Sequence, residues 1–115
     1  MNNKELIDIT LNALNDAKAL DINVFDVSKL TSISDHMIIA SGRSGRQVGA
    51  LADKVVEAAK QHDIQPLGVE GKREGEWVLV DLGDIIVHIM QPDTREYFQL
   101  EKLWNGDAAQ QAETL

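Results

Sequence analysis

Apolar residues recur along the chain with two different periods, which together predict a mixed α/β domain. Across residues 4–20 and 46–62 they return every three or four positions, as on one face of an amphipathic helix. In several shorter stretches they alternate at every second position or form a brief continuous run, as in strands. The predicted order is a helix at 4–20, strands at 22–28 and 36–41, a helix at 46–62, strands at 66–70, 77–82 and 84–90, and a short helix within 93–104.

This order of elements favours an α/β (α+β) fold in which helices pack on a mixed five-stranded sheet. The strands at 36–41 and 66–70 flank a helix, so we expect them to run parallel. A single domain at 1–105 is expected, because the chain has 115 residues and no linker divides it. The stretch 106–115 has little to bury and is expected to be a disordered tail.

The strands around Leu82 and Gly83 form a predicted hairpin whose two faces differ in chemistry. If these two residues are the loop, Val78 lies opposite Val87 and Val80 lies opposite Ile85. That face is entirely β-branched and is predicted to join the core. The other face carries an apolar strip with carboxylates at its edge, made of Trp77, Leu79, Asp81, Asp84, Ile86, His88 and Met90.

Two interpretations of this strip remain open at the level of sequence. A second layer of helices could cover it, and Trp77 would then be an ordinary core residue. Alternatively the strip is incompletely covered, and its aromatic and apolar centre with a charged rim is typical of a protein-binding surface. On this second interpretation the strip residues are the candidate partner-binding site.

The net charge of −8, from 19 acidic and 11 basic residues, narrows the choice of partner. Affinity for nucleic acid depends on neutralising phosphates with Lys and Arg, so we expect little direct contact with RNA. A basic protein is the favoured partner, because opposite charge speeds encounter. No apolar run approaches the ~18 residues of a membrane span. Cysteine is absent, which excludes thiolate catalysis and disulfides, and a cytoplasmic location is the default expectation.

The glycine-rich segment 41–55 contains a candidate anion site. Its spacing, G-x-x-G-x-x-x-G, matches neither the dinucleotide fingerprint nor the P-loop. Ser44 is the predicted N-cap of the second long helix, and the exposed amides there, with Arg43 and Arg46, could hold an anion. The simpler interpretation is a strand-to-helix turn that needs glycine for its backbone geometry, with Gly49 permitting close packing of the helix.

Asp81 and Asp84 are the other candidates for chemistry, because they would face each other across the predicted turn. Two such carboxylates could hold magnesium in a nucleotidyltransferase-like site. The sequence identifies no third carboxylate and no cationic cluster for a triphosphate, and aspartates beside tight turns are common for backbone reasons. The histidines at 36, 62 and 88 have no ligand-like spacing. We therefore expect no cofactor, no metal site and no enzymatic activity.

Three segments of the chain, 35–55, 67–90 and 95–104, closely resemble the ribosomal silencing factor family, also called Iojap. The resemblance covers roughly residues 5–105. Its most specific parts are G-x-W-x-x-x-D-x-G-D-x-x-x-H, from Gly75 to His88, and Y-x-x-L-E-x-L-W, from Tyr97 to Trp104. The positions that match the first run are Trp77, Asp81, Gly83, Asp84 and His88.

The resemblance implies a small α/β domain similar to nucleotidyltransferases but without their catalytic apparatus. It also implies binding to the fourteenth protein of the large ribosomal subunit, on the face where the small subunit docks. A factor bound there blocks subunit joining and represses translation, notably in starvation or stationary phase. Three alternatives stay open: a nucleotidyltransferase that uses Asp81, Asp84 and magnesium with the Ser44–Arg46 turn, a large-subunit assembly factor, and a homodimer away from the ribosome.

Overall fold

The computed structural model describes residues 2–32 and 34–104, except for the side chains at 103 and 104, so the expected tail at 106–115 lies outside the described residues. Each predicted helix and strand is present, with ends displaced by no more than about one helical turn. The predicted C-terminal helix is divided in two at Gln99, which has a left-handed backbone with φ 48°. The elements are α1 Asn3–Asp16, β1 Leu20–Asp26, β2 His36–Ser41, α2 Gly45–Gln61, β3 Gly68–Glu70, β4 Trp77–Asp81, β5 Ile85–Met90, α3 Pro92–Phe98 and α4 Glu101–Trp104.

The five strands form one mixed sheet in the order β1-β2-β5-β4-β3, which confirms the predicted fold class. β2 and β5 pair in parallel, and the other neighbouring strands pair antiparallel. β2 and β3 run in the same direction, as the sequence predicts, but β5 and β4 lie between them. The β4–β5 hairpin is therefore inserted between β2 and β3.

α1 and α2 cover one face of the sheet and enclose the main core. The apolar stripe predicted for α2 is its buried face, and Ser44 caps the helix by accepting a hydrogen bond from the Gln47 N–H. No described helix is long and apolar enough to cross a membrane. The fully or nearly fully buried residues of this core include Leu14, Ile38, Val48, Leu51, Val55, Val78, Val80, Ile85, Val87 and Ile89.

The register of the β4–β5 hairpin differs from the predicted one by two residues. Val80 pairs with Val87 rather than Ile85, and the N–H of Leu82 donates to the Ile85 carbonyl at 2.9 Å. The two-residue loop is therefore Gly83–Asp84, and Gly83 has φ 91°, as the first position of a type II′ hairpin turn requires. Side chains alternate with period two, so a shift of two leaves the residues of both strands on their predicted faces and moves only Asp84 into the loop.

Candidate functional site

The strip residues of the two strands lie on the sheet face opposite α1 and α2, which we call the outer face; they are Trp77, Leu79, Asp81, Ile86, His88 and Met90. Asp84 does not join them, because it lies in the hairpin loop and lines a cavity with Asn3 and Leu6 of α1. Pairing places Trp77 beside Met90, Leu79 beside His88 and Asp81 beside Ile86. A second, smaller apolar cluster forms on this face from strand residues and the loop after β1. Its members are Phe25, Val27, Met37, Leu79 and Ile86.

α3 covers one end of the outer face, and both longer helices of the described residues, α1 and α2, pack on the opposite face. The Phe98 ring lies 5.1 Å from the Trp77 ring between centroids, at an interplanar angle of 52°. Met90 is fully buried, and His88 and Ile86 are 5% and 7% exposed. Trp77 and Leu79 remain half-buried. The tryptophan and the leucine are therefore the more exposed apolar residues of the strip, and the three buried residues lie beside them on β5.

A hydrogen bond between side chains fixes the orientation of the tryptophan. The Trp77 indole N–H donates to Nδ1 of His88 at 2.9 Å. An indole N–H can only donate, so Nδ1 accepts and the neutral imidazole carries its proton on Nε2. Burial lowers the pKa of His88 from 6.5 to about 4, which keeps the ring neutral near pH 7. The only polar atom of the Trp77 side chain is therefore satisfied within the protein.

The Nε2 atom of His88 is buried and has no hydrogen-bond partner among the residues that the structure describes. It is a donor in the tautomer that the indole selects. A buried donor without a partner is unfavourable, which shows that the position is occupied by histidine at some expense to stability. The compensating interaction is the hydrogen bond that holds Trp77.

Arg95 anchors α3 to the sheet, and sequence reasoning missed it. Its guanidinium is buried and donates to the Asp21 carbonyl at 2.7 Å, to the Ser41 hydroxyl at 3.0 Å and to the Glu101 carboxylate at 2.8 and 2.9 Å. These contacts join the ends of β1 and β2 to both C-terminal helices. No local pattern marks this arginine, because Asp21 and Ser41 are distant from it in the sequence.

Two large aromatic side chains of α3 are exposed beside the strip. Tyr97 is 80% exposed and Phe98 is 54% exposed. Their rings meet edge to face, with centroids 4.9 Å apart and planes at 86°. Sequence reasoning did not include them in the candidate site, although Tyr97 begins the second family-like motif.

The candidate anion site is exposed, and its capping groups are used within the protein. Arg43, Ser44 and Arg46 are all exposed. The Ser44 hydroxyl accepts from the Gln47 N–H at 3.1 Å, and the Gln47 side chain accepts from the Arg43 N–H at 2.6 Å. The expectation that Gly49 permits close packing is wrong, because a Cβ at this position would meet nothing within 4 Å. These contacts are those of an ordinary helix start.

The predicted facing pair of Asp81 and Asp84 is wrong, because the corrected register places Asp84 in the loop and Asp81 opposite Ile86. The Asp81 carboxylate accepts the Gly83 N–H at 2.9 Å and so stabilises the turn. The Asp84 carbonyl accepts from the backbone N–H groups of Asp35 and His36 at 2.9 and 3.1 Å. Within residues 2–32 and 34–104, no group of three or more His, Cys, Asp and Glu side chains could hold a metal ion.

Comparison with known proteins identifies the family and supports the fold. The whole chain, residues 1–115, matches the family model described as "Ribosomal silencing factor during starvation". It is 48% identical to the ribosomal silencing factor RsfS of Haemophilus influenzae, over 86% of this chain and 97% of the relative. A crystal structure of a Chromobacterium violaceum protein superposes with a TM-score of 0.90 at 46% identity, covering 93% of this chain and 89% of that one. The mouse protein named "Mitochondrial assembly of ribosomal large subunit protein 1" is 35% identical over 85% of this chain and 44% of its own length.

Proposed function

The chain belongs to the ribosomal silencing factor family, and from this premise we propose that it represses translation by binding the large ribosomal subunit in the cytoplasm. The contact we propose is with the fourteenth protein of that subunit, through the outer face. The bound chain then blocks the docking of the small subunit, especially in starvation or stationary phase. Family membership supports a role in regulation of the ribosome, and the outer face is the surface that we propose for binding it.

The observation that carries the proposal is the half-buried Trp77 on a sheet face without a full helical cover. Tryptophan is strongly enriched among the anchors of protein interfaces, and anchors lie where apolar contacts are surrounded by polar residues. Leu79 extends the apolar centre, while Asp81 lies at its edge. The His88 hydrogen bond holds the indole in one orientation before binding, which reduces the entropy lost in the complex.

Charge supports a protein contact over a nucleic-acid contact. The chain has a net charge of −8, which repels the RNA phosphates that surround a binding site on the ribosome. A basic ribosomal protein offers the opposite sign, and complementary charge raises the rate of encounter. We propose that the chain reaches the subunit through this protein and contacts little RNA directly.

We propose further that the chain acts without catalysis. The family description names a regulatory factor, the Asp81 carboxylate stabilises the hairpin turn, and Asp84 lies in the loop rather than facing it. Calorimetry with nucleoside triphosphates and magnesium tests this point directly. Heat of binding at micromolar ligand, together with turnover of the triphosphate, would replace the proposal with an enzymatic function.

Sedimentation of tagged chain with cell extract on sucrose gradients tests the main proposal. We expect the chain to migrate with free large subunits, and Trp77→Ala to remain at the top of the gradient. Purified chain should also reduce the fraction of joined ribosomes when the two subunits are mixed. Migration with small subunits or polysomes, and none with free large subunits, would contradict the proposal.

A role in assembly of the large subunit is the second candidate, favoured by the name of the mouse relative. Deletion of the gene separates the two roles by the growth phase affected. Loss of an assembly factor should cause immature large subunits to accumulate during rapid growth. Loss of a silencing factor should leave that profile normal and increase the joined ribosomes that remain during starvation.

A further inference from the structure

Three aromatic rings form a continuous row from the sheet to the exposed side of α3. Trp77 contacts Phe98 with centroids 5.1 Å apart, and Phe98 contacts Tyr97 with centroids 4.9 Å apart. Both separations lie in the range where aromatic pairs attract, and both pairs are tilted rather than face to face. We call these three residues the aromatic row. It extends the proposed binding surface beyond the strip that the sequence marks.

The exposure of this row is greater than the fold requires. Tyr97 and Phe98 are 80% and 54% exposed, and they are consecutive residues of a seven-residue helix. Single exposed apolar residues are ordinary, but a contiguous exposed group points to an interaction surface. Arg95 attaches α3 to the sheet from the buried side of the helix, and more than half of each of the two rings is left facing solvent.

The same arginine holds the helix that carries Tyr97 and Phe98. Arg95 precedes Tyr97 by two positions and is bonded to Asp21, Ser41 and Glu101. The position of α3 over the sheet is therefore set before any partner arrives. A surface ordered in advance loses less conformational entropy on binding than a flexible one.

The charges around the row favour a cation. Asp93 lies one helical turn before Tyr97 on the same helix face, and Glu96 is its neighbour in sequence. Both carboxylates are exposed. The positive charge of Arg95 is balanced by Glu101 at 2.8 Å, which leaves Lys102 as the exposed cation among the described side chains of α3 and α4.

We propose that the aromatic row receives an arginine side chain of the basic protein partner, stacked on Phe98 and Tyr97 while Trp77 packs against apolar surface. A planar guanidinium stacks on aromatic faces and keeps its hydrogen bonds for nearby carboxylates such as Asp93. This inference rests on the proposed function, since it supplies the chemistry of the partner residue at the same surface. It assigns a binding role to two residues outside the strip.

The affinity of purified large subunits for substituted chains tests the inference. Replacing both Tyr97 and Phe98 by Leu keeps apolar area but removes the aromatic faces, so we expect a loss of about 5- to 30-fold. Tyr97→Phe should keep most of the affinity, because the ring remains. The matched control is Val24→Ala, an exposed apolar residue of β1 that pairs with the core residue Ile38 and so points to the other face. Unchanged affinity of the double variant, when Trp77→Ala has lost binding, would overturn the inference and leave the proposed function standing.

A titration without ribosomes tests arginine binding by the aromatic row separately from binding of the chain to the large subunit. The Tyr97 and Phe98 ring signals of the complete chain are followed by NMR as hexa-arginine, hexalysine or hexaglutamate peptide is added. We expect the ring signals to move with hexa-arginine, less with hexalysine and not with hexaglutamate. An equal response to hexalysine, or none to hexa-arginine at millimolar concentration, would overturn the inference even if subunit binding fails altogether.

The chain's own C-terminal residues are the competing occupant of the row. A chain ending at residue 104 should show the same Tyr97 and Phe98 ring signals as the complete chain and bind subunits as well. Movement of those signals on truncation, with a gain in affinity, would show that the terminal residues occupy the row and would overturn the assignment to a partner arginine.

Discussion

The indole N–H of Trp77 donates to Nδ1 of His88 at 2.9 Å, across neighbouring antiparallel strands of the sheet. Trp77 pairs with Met90 and His88 pairs with Leu79, so the bond runs diagonally on the outer face. It joins the residue that we propose as the binding anchor to a buried, neutral imidazole. The orientation of the anchor therefore depends on the protonation state and identity of the residue at position 88.

Replacing Trp77 by Ala should damage binding more than folding. Truncation of an interface anchor typically weakens the binding free energy by ~2–4 kcal/mol, which lowers the affinity roughly 30- to 700-fold. The half-buried ring also packs on Phe98 and bonds His88, so we expect a loss of stability of about 1–3 kcal/mol. Thermal unfolding and subunit binding are measured on the same preparation.

The matched comparison for Trp77→Ala is Ile89→Ala, on the buried face of β5. Truncating a fully buried isoleucine to Ala lowers the free energy of unfolding by about 2–5 kcal/mol. We expect this variant to unfold more easily and yet to bind subunits normally at a temperature where it is folded. If the folded Trp77→Ala variant binds normally, the interface lies elsewhere.

Replacing His88 by Gln should remove part of the acid sensitivity of the fold. The pKa of His88 is about 4 in the folded chain and 6.5 when solvated, so between these values the unfolded chain binds more protons. Stability contributed by the neutral ring is therefore present above pH ~6.5 and lost as the pH falls towards 4. At 1.36 kcal/mol per pKa unit the loss is at most about 3 kcal/mol.

Urea unfolding at several pH values between 7 and 4 measures this effect. The Gln side chain does not titrate, and its oxygen can still accept the Trp77 N–H. We expect the stability difference between wild type and His88→Gln to shift in favour of the variant as the pH falls. A difference that stays constant over this range would show that burial of His88 does not shape the acid response.

Replacing Arg95 by Met should loosen α3 while leaving the main core intact. The change leaves the Ser41 hydroxyl and the Glu101 carboxylate without their cationic partner. Hydrogen bonds to charged groups contribute about 1.5–3 kcal/mol each when solvent is excluded, so we expect a stability loss of roughly 2–3 kcal/mol. Hydrogen exchange of the α3 amides should accelerate far more than that of α2.

The control for Arg95→Met is Lys72→Met, which removes the exposed ion pair between Lys72 and Asp53. Both side chains of that pair are more than half exposed. Surface pairs of this kind contribute ~0–1 kcal/mol, so little change is expected. Equal losses in the two variants would mean that Arg95 is no more than a surface charge.

Glycines 49 and 75 should respond to Ala in opposite directions. Gly49 lies inside α2, where a Cβ meets nothing within 4 Å, so Gly49→Ala should stabilise the fold by about 0.5–1 kcal/mol. Gly75 has φ 71°, and a Cβ there would lie 2.9 Å from the Gly45 Cα, so Gly75→Ala should be destabilising. Chemical denaturation measures both. Stabilisation by Gly75→Ala would contradict the close contact between Gly75 and the first residue of α2.

The sequence by itself determined the features that depend on near neighbours in the chain. The apolar stripe of α2 repeats every three to four residues, and Ser44 caps that helix through Gln47 only three positions away. The two faces of the β4–β5 hairpin follow from the period of two, which survives a register error of two residues. The sequence therefore predicts the face on which Trp77 lies. It does not predict how much of the Trp77 side chain is buried.

Only the tertiary structure decided what depends on contacts between distant segments. The hairpin loop is Gly83–Asp84 because the Leu82 N–H donates to the Ile85 carbonyl. The Asp84 carbonyl accepts hydrogen bonds from the N–H groups of Asp35 and His36, which are distant in the sequence. The burial of Met90 and the exposure of Tyr97 depend on where α3 lies, which Arg95 sets through Asp21 and Ser41. Periodicity reports which way a side chain points from its own element. It carries no information about which other element arrives to cover it, because that is decided by packing among segments many residues apart.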